Sequence, residues 1–467
     1  MADDKPRFVI AGTGSGVGKT TITMGLMAAL SARGLAVQGF KVGPDFIDPT
    51  YHTAVTGRPS RNLDTWMMHR NIVREIFHRG SDGADISVIE GVMGMYDGKD
   101  PLSDVGSTAE VSKLLQAPVI LVVNAANMAR SAAAVVLGFQ RIDPTVPIAG
   151  VIVNQVGSAR HYELVKAAID QVCDLPVIGY LARQPNVDMP ERHLGLIPAL
   201  ERGDMKGLFE ALRLAVEETI DVDALIYLAQ RTAPWREPIS TLFSGRQRKQ
   251  TVTIAVARDR AFNFYYPENI ELLEWYGASI RYFRPVDGEV VPKNVDGVYI
   301  GGGFPEEFAA TLAQQVHVKA SFQHIVNKGV PLFAECGGFM YLTDTLTDAL
   351  GTSHVMAGVI PAAVAMQKRL VALGYREVTA LTDTLLLQKG ECARGHEFHY
   401  SNAAHDVDSW PYAYESDGMR GNKQEGYTKG NLLAGYTHLH FASNPKMALR
   451  FVEACERFQQ HHRPLHI

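Results

Sequence analysis

The stretch Gly12-Thr13-Gly14-Ser15-Gly16-Val17-Gly18-Lys19-Thr20-Thr21 sets a lysine and two threonines behind four spaced glycines. A glycine-rich turn of this kind can aim its backbone N–H groups at one centre, and a helix starting there adds partial positive charge. Lys19 is expected to reach the β- and γ-phosphates of a nucleotide, and the Thr20 hydroxyl to hold Mg²⁺. A second stretch, Pro331-Leu332-Phe333-Ala334-Glu335-Cys336-Gly337-Gly338, carries different chemistry. An apolar run, a cysteine and two glycines read as a nucleophile elbow. The helix N-terminus after the turn is expected to lower the Cys336 pKa. The Gly337 N–H can serve an oxyanion, and the glycines ending in Gly303 after the apolar run 297–300 can supply the other donors. A distant histidine should act as base, and Thr437-His438-Leu439-His440 offers two.

Acidic residues follow several apolar runs. Asp45 and Asp48 lie in a Gly/Pro-broken loop, Glu90 closes the run 86–90, and Asp97 follows in Met93-Gly94-Met95-Tyr96-Asp97-Gly98. Hard cations prefer such oxygen ligands, so Asp45, Glu90 and Asp97 are expected around one or two Mg²⁺ ions on ATP. The competing use is turn and helix capping, above all for Asp48. Asn124 and Asn154, at the ends of apolar runs, suit either a nucleotide base or a turn. Arg58, Arg61, Asn62 and Asp64 form either an anionic-substrate site or a solvated loop face. Gly395-His396-Glu397-Phe398-His399 is not the H-E-x-x-H metal pattern, because its histidines stand three apart. Cys173, Cys336, Cys392 and Cys455 show no C-x-x-C spacing, which disfavours zinc or a disulfide framework and fits a reducing cytoplasm.

The elements that must position these groups are legible as alternating patterns. Runs 8–11, 36–41, 86–90, 119–123 and 148–154 read as buried strands between helical segments, the first helix spanning 20–33. Such alternation predicts an α/β fold, a largely parallel sheet flanked by helices, with ligands at the carboxyl ends of its strands. A helical stretch reaches residue 230. Residues 231–250, rich in Pro, Arg, Ser and Gln, read as a linker. Strand–helix alternation resumes at 252–257, so the expected domains are 1–230 and 251–467, and both are α/β. The net charge of −5 gives no field for nucleic acid or an anionic membrane. No run of 18 uninterrupted apolar residues and no signal-peptide core is present. These features predict a cytoplasmic protein without nucleic-acid or membrane partners, and leave a homodimer open.

Two resemblances sharpen this reading. Five residues, not four, separate Gly12 from Gly18; this longer loop resembles that of dethiobiotin synthetase and its relatives, which use ATP to activate a carboxylate. Partition-type ATPase switches carry a lysine where Gly14 stands. The stretches from Lys41-Val42-Gly43-Pro44-Asp45 to Tyr51-His52, Ser60-Arg61-Asn62-Leu63-Asp64, and Glu90-Gly91-Val92-Met93-Gly94-Met95-Tyr96-Asp97-Gly98 together resemble the cobyrinic acid a,c-diamide synthases. The C-terminal half resembles a class I glutamine amidotransferase domain of the variant attached to those synthases. It departs from the class I pattern in two places. Ala334 stands where the cysteine motif begins with glycine. The base motif H-x-E reads His438-Leu439-His440, so the third triad member is missing and the register favours His438. The Gly395–His399 words also recur in cobyrinate amide synthases, which implies a substrate or interdomain role rather than metal.

The resemblance implies a P-loop NTPase domain joined to an amidotransferase domain. It implies ATP and Mg²⁺, glutamine as ammonia donor through Cys336, and a corrinoid or other tetrapyrrole carboxylate as substrate. The implied reaction is amidation of the a and c carboxylates of cobyrinic acid through a phosphorylated carboxylate, within cobalamin biosynthesis. Hydrogenobyrinic acid or nickel-sirohydrochlorin is the alternative substrate. Rival classes are a dethiobiotin synthetase with a fused amidotransferase, which has no need of ammonia, and an ATP-dependent partition or metal-insertion switch. Gly14 and the cysteine elbow both oppose the switch.

Overall fold

Five apolar runs of the N-terminal half form the middle of one parallel sheet. The computed structural model describes residues 4–183, 191–192, 195–196, 198–419 and 421–462. The chain packs as two units, Met1–Thr241 and Leu242–Ile467. In the first, the strand order is Arg61–Leu63, Val37–Val42, Ile86–Glu90, Arg7–Gly12, Val119–Asn124, Ile148–Val156 and Val177–Ala182. All neighbours run parallel. Strands covered on both faces lose the alternation of a half-buried strand, which is why Phe8, Val9, Ile10 and Ala11 are all buried. The order of the strands reverses around Arg7–Gly12, so the loop after that strand opens at the switch point where α/β sheets bind ligands.

The helix Lys19–Ala32 starts at Gly18, whose φ of 93° only glycine adopts readily. It buries Ile22, Leu26, Met27 and Leu30. A Cβ on Gly25 would overlap Val216, so that glycine lets the helix Lys206–Thr219 approach closely. The two edge strands Arg61–Leu63 and Val177–Ala182 are absent from the sequence reading. Arg61-Asn62-Leu63 is too short and polar to show a period, and becomes a strand only by pairing with Phe40-Lys41-Val42.

The stretch 231–250 is more than a tether. Trp235 is buried, tilts against Phe77, and takes the guanidinium groups of Arg7 and Arg74 on its ring. Glu75 accepts the Ser240 hydroxyl at 2.8 Å and the Thr241 N–H at 2.7 Å. Its composition resembles a linker because these contacts rest on single side chains rather than on a periodic face.

In the second unit the central sheet runs Ala278–Phe283, Val252–Ala257, Gly297–Ile300, Leu332–Glu335, Leu432–Gly435 and Tyr427–Lys429. The first five are parallel and the last is antiparallel. Two smaller sheets, largely antiparallel, occupy the span between Thr343 and Leu439. The simple strand–helix alternation did not anticipate them. Their signature is the in–out burial of Ile360-Pro361-Ala362-Ala363-Val364, expected of a sheet with one open face. Among the described residues no helix is long and apolar enough to cross a membrane.

Candidate functional site

Two polar centres stand out, one in each unit, and each lies at the carboxyl ends of a parallel sheet. In the N-terminal unit the loop from Gly12 to Gly18 curls as expected. Gly16 and Gly18 have positive φ, and a Cβ on Gly12 would overlap Val17. Asn154 is a buttress of this loop: its Nδ2 donates to the Val17 carbonyl at 2.7 Å and packs on Gly18. Asn124 takes the Ala126 N–H and donates to Gln155, the turn duty that sequence allowed.

Lys19 donates to the carbonyls of Gly14 and Met93. Burial first, and the neighbouring Lys41 charge second, bring its ammonium down to about 8. Thr20 Oγ1 donates to Glu90 Oε1 at 2.7 Å and sits 3.4 Å from Asp48 Oδ2. Lys41 Nζ lies 2.6 Å from Asp48 and 3.0 Å from Glu90. His52 Nε2 lies 2.7 Å from the other Glu90 oxygen, and its Nδ1 meets Ser60 at 3.2 Å. Burial opposes ionisation of Glu90, but Lys41, His52 and Thr20 outweigh it and hold the carboxyl below the usual range. Asp48 has fewer donors; burial and the Glu90 charge push its carboxyl up. Burial also works against the Lys41 ammonium, and the two carboxylates overcome it.

The expected acid set is therefore divided differently. Thr20 and Glu90 come together with Asp48, Lys41 and His52. Asp45 takes the N–H groups of Ile47 and Asp48 as a cap, and Asp97 takes that of Gly94. Among the described residues no three His, Cys, Asp or Glu side chains are grouped as a ready metal site. Hard oxygen donors do converge at Thr20 and Glu90, which fits Mg²⁺. Lys41 and His52 carried no role in the sequence reading; their signal is a lysine and a histidine flanking the Asp45–Asp48 turn. Arg58 is not free for an anionic substrate. Its guanidinium reaches Gln38 and the carbonyls of Gly80, Asp82 and Gly83. Asn62 pins the carbonyls of Gly43 and Asp45, and Asp64 caps Trp66 and Met67.

In the C-terminal unit, Cys336 joins the strand Leu332–Glu335 to the helix Gly337–Leu342 at φ 45° and ψ −103°. A non-glycine residue held there is strained, as an elbow requires. The helix packs directly on the loop 301–305. A Cβ on Gly337 would press on Gly303 N and O, and Gly338 N donates to Gly301 O at 3.0 Å. A Cβ on Gly302 would overlap the His438 imidazole. One glycine loop thus touches both the cysteine turn and His438, with Gly303 and Gly337 side by side. His440 packs elsewhere: it stacks on Tyr266 at 4.4 Å, accepts the Ala442 N–H and lies 3.8 Å from Glu268.

The expected lowering of the Cys336 pKa is corrected by the structure. Burial pushes the thiol up, and the charges of Glu306 and Glu397 add to it; the Gly337 N–H works the other way but is outweighed. Burial likewise brings His438 down to about 3. The pair rests as neutral thiol and neutral imidazole. Nearby, Glu397 of the Gly395–His399 words is fully buried among Arg376 at 2.5 Å, Lys423 at 2.6 Å and His399 at 3.0 Å. Burial opposes its charge, but His399 and Lys423 hold it ionised, and that charge favours protonation of His438.

Comparison with known proteins agrees with this division. Residues 8–197 match the CobQ/CobB/MinD/ParA nucleotide binding domain, and residues 253–446 match the CobB/CobQ-like glutamine amidotransferase domain. The cobyrinate a,c-diamide synthase of Priestia megaterium is 55% identical over 98% of this chain and 98% of its own length. The enzyme of that name from Dehalococcoides mccartyi strain CBDB1 is 43% identical over 97% of this chain and 99% of its own. The one from Salmonella typhimurium is 44% identical over 98% of this chain and 100% of its own.

Proposed function

The chain belongs to the family of cobyrinate a,c-diamide synthases, and from that premise we propose that it uses Mg-ATP and glutamine to amidate the a and c carboxylates of cobyrinic acid in cobalamin biosynthesis. The observation that carries this reading is that one chain holds both a phosphate loop whose Thr20 meets Glu90 and a cysteine elbow whose glycine loop touches His438. One centre can activate a carboxylate and the other can release ammonia.

At the first centre, Lys19 exchanges its two carbonyl partners for β/γ-phosphate oxygens, while residues 12–18 and Thr21 cradle the chain of phosphates. Thr20 and Glu90 would hold Mg²⁺, with Asp45 and Asp97 on the flanking loops as further oxygen donors, and the ion would offset phosphate charge. A substrate carboxylate oxygen attacks the γ-phosphorus and the bond to the ADP oxygen breaks. Lys19 and Lys41 offset the charge that develops.

At the second centre, His438 takes the Cys336 proton as sulfur attacks the glutamine amide carbon. The N–H groups of Gly303 and Gly337 receive the oxyanion. His438 returns the proton to the leaving ammonia, and water releases glutamate from the thioester. Ammonia then attacks the acyl phosphate carbon, and inorganic phosphate departs.

The substrate is tested by incubating the enzyme with glutamine, Mg-ATP and, separately, cobyrinic acid, hydrogenobyrinic acid and nickel-sirohydrochlorin. The expected product is cobyrinic acid with two hydroxyl-to-amine exchanges by mass. Amidation of another member of the panel, with cobyrinic acid untouched, would overturn the substrate assignment.

A further inference from the structure

His438 and Leu439 form a two-residue strand that, among the described residues, has a neighbour on one side only, the strand Cys392–His399. Its other edge is held by side chains. Glu335 Oε1 accepts the Leu439 N–H at 2.7 Å, and Asn269 Nδ2 donates to the Leu439 carbonyl at 2.8 Å. Asn269 Oδ1 also takes the Phe441 N–H at 2.7 Å. Tyr299 donates its hydroxyl to Glu335 Oε2 at 2.6 Å. All of these groups are buried, and Tyr299 is stacked on Phe333 from the strand that carries the nucleophile.

The residue before the nucleophile thus grips the residue after the base. We infer that Glu335 is a positioning residue for ammonia release: its carboxyl ties the backbone bearing His438 to the strand bearing Cys336, fixing base against nucleophile where the H-x-E glutamate is replaced by His440. The inference rests on the amidotransferase reading above. Two features favour a dedicated strut over incidental packing. Every hydrogen-bonding group of the Leu439 peptide is satisfied by a side chain at a place where a neighbouring strand would normally do so. A carboxyl is also an expensive group to bury for packing alone; here burial pushes it up to about 8. His440 cannot take over the task, because it faces Tyr266 and Glu268.

The test compares Glu335→Ala and Glu335→Gln with the wild-type protein in two assays, glutamate release from glutamine and amidation driven by ammonium. Geometry lost between base and nucleophile should lower kcat for glutamate release by about tenfold or more in the alanine variant, with KM for glutamine moved less than about threefold. Ammonium-driven amidation should stay within about twofold of wild type, because that chemistry needs neither Cys336 nor His438. Glutamine at this position can still accept from Leu439 and meet Tyr299, so it should restore most of kcat. If the alanine variant does not fold, Tyr299→Phe carries the same test: it removes the support of Glu335 and should lower kcat about threefold or more with the ammonium rate kept. Wild-type kcat in a folded alanine or phenylalanine variant overturns the inference, and so does a parallel loss in both assays. Absence of glutamate release from the wild-type protein would overturn the amidotransferase reading itself, a different outcome.

Discussion

Nζ of Lys19 lies 2.5 Å from the carbonyl oxygen of Met93. Met93 has a φ of 44°, uncommon for a residue with a Cβ, and that turn aims its carbonyl at the lysine. In the proposed mechanism, phosphate oxygens replace Met93 and Gly14 as partners of Lys19. Lys19→Ala should lower ADP formation by about a hundredfold or more while leaving the protein folded, since a positioned cation is what stabilises the transferring phosphoryl group. Normal ADP formation in that variant would remove Lys19 from the mechanism.

Glu90 has a structural duty besides its proposed chemical one, because Lys41, His52 and Thr20 all converge on it. Glu90→Gln should stop turnover and also cost about 3 kcal/mol of stability by leaving the buried Lys41 poorly compensated. Adding Lys41→Met should recover part of the melting temperature and none of the activity. A single variant with an unchanged melting temperature would show that the cluster carries no net stabilisation.

Burial pushes the Cys336 thiol up and His438 down to about 3, so neither group is charged at rest. The thiolate fraction therefore stays small as pH rises from 7 to 9. Alkylation by iodoacetamide, followed by peptide mass, should label exposed Cys392 well before Cys336 throughout that range. Preferential labelling of Cys336 would show that its sulfur is already activated.

Trp235 tests the role of the stretch that looked like a linker. Its indole is buried against Phe77 and carries the guanidinium groups of Arg7 and Arg74 over its ring. Trp235→Ala should cost about 3–5 kcal/mol, read as a lower melting temperature. A melting temperature equal to wild type would return the segment to the status of a tether.

What the sequence displayed and what it hid follow from physics. Buried parallel strands and a glycine-rich turn before Lys19 are local signals, so the sheet and the phosphate loop were visible. The partners of Glu90 were not, because Lys41, Asp48 and His52 reach it across separate elements that sequence spacing does not join. The cysteine elbow was visible for the same local reason as the phosphate loop. Its pKa was misjudged because burial, a property of the whole unit, outweighs one helix N-terminus of six residues. Arg58 offered a charge whose use was undetermined until four backbone and side-chain partners were seen around it.

The division of labour between the two centres is tested most directly by Cys336→Ser. One product assay is run on this variant and the wild type, with glutamine or with ammonium salt at mildly alkaline pH as nitrogen source. A hydroxyl of much higher pKa cannot replace the sulfur nucleophile, so the variant should form no amide from glutamine. With ammonium it should amidate the corrinoid at a rate comparable to wild type, because the proposed phosphoryl transfer uses Lys19, Thr20 and Glu90 instead. Amide formed from glutamine by the variant, or failure with ammonium in a folded protein, would contradict the account.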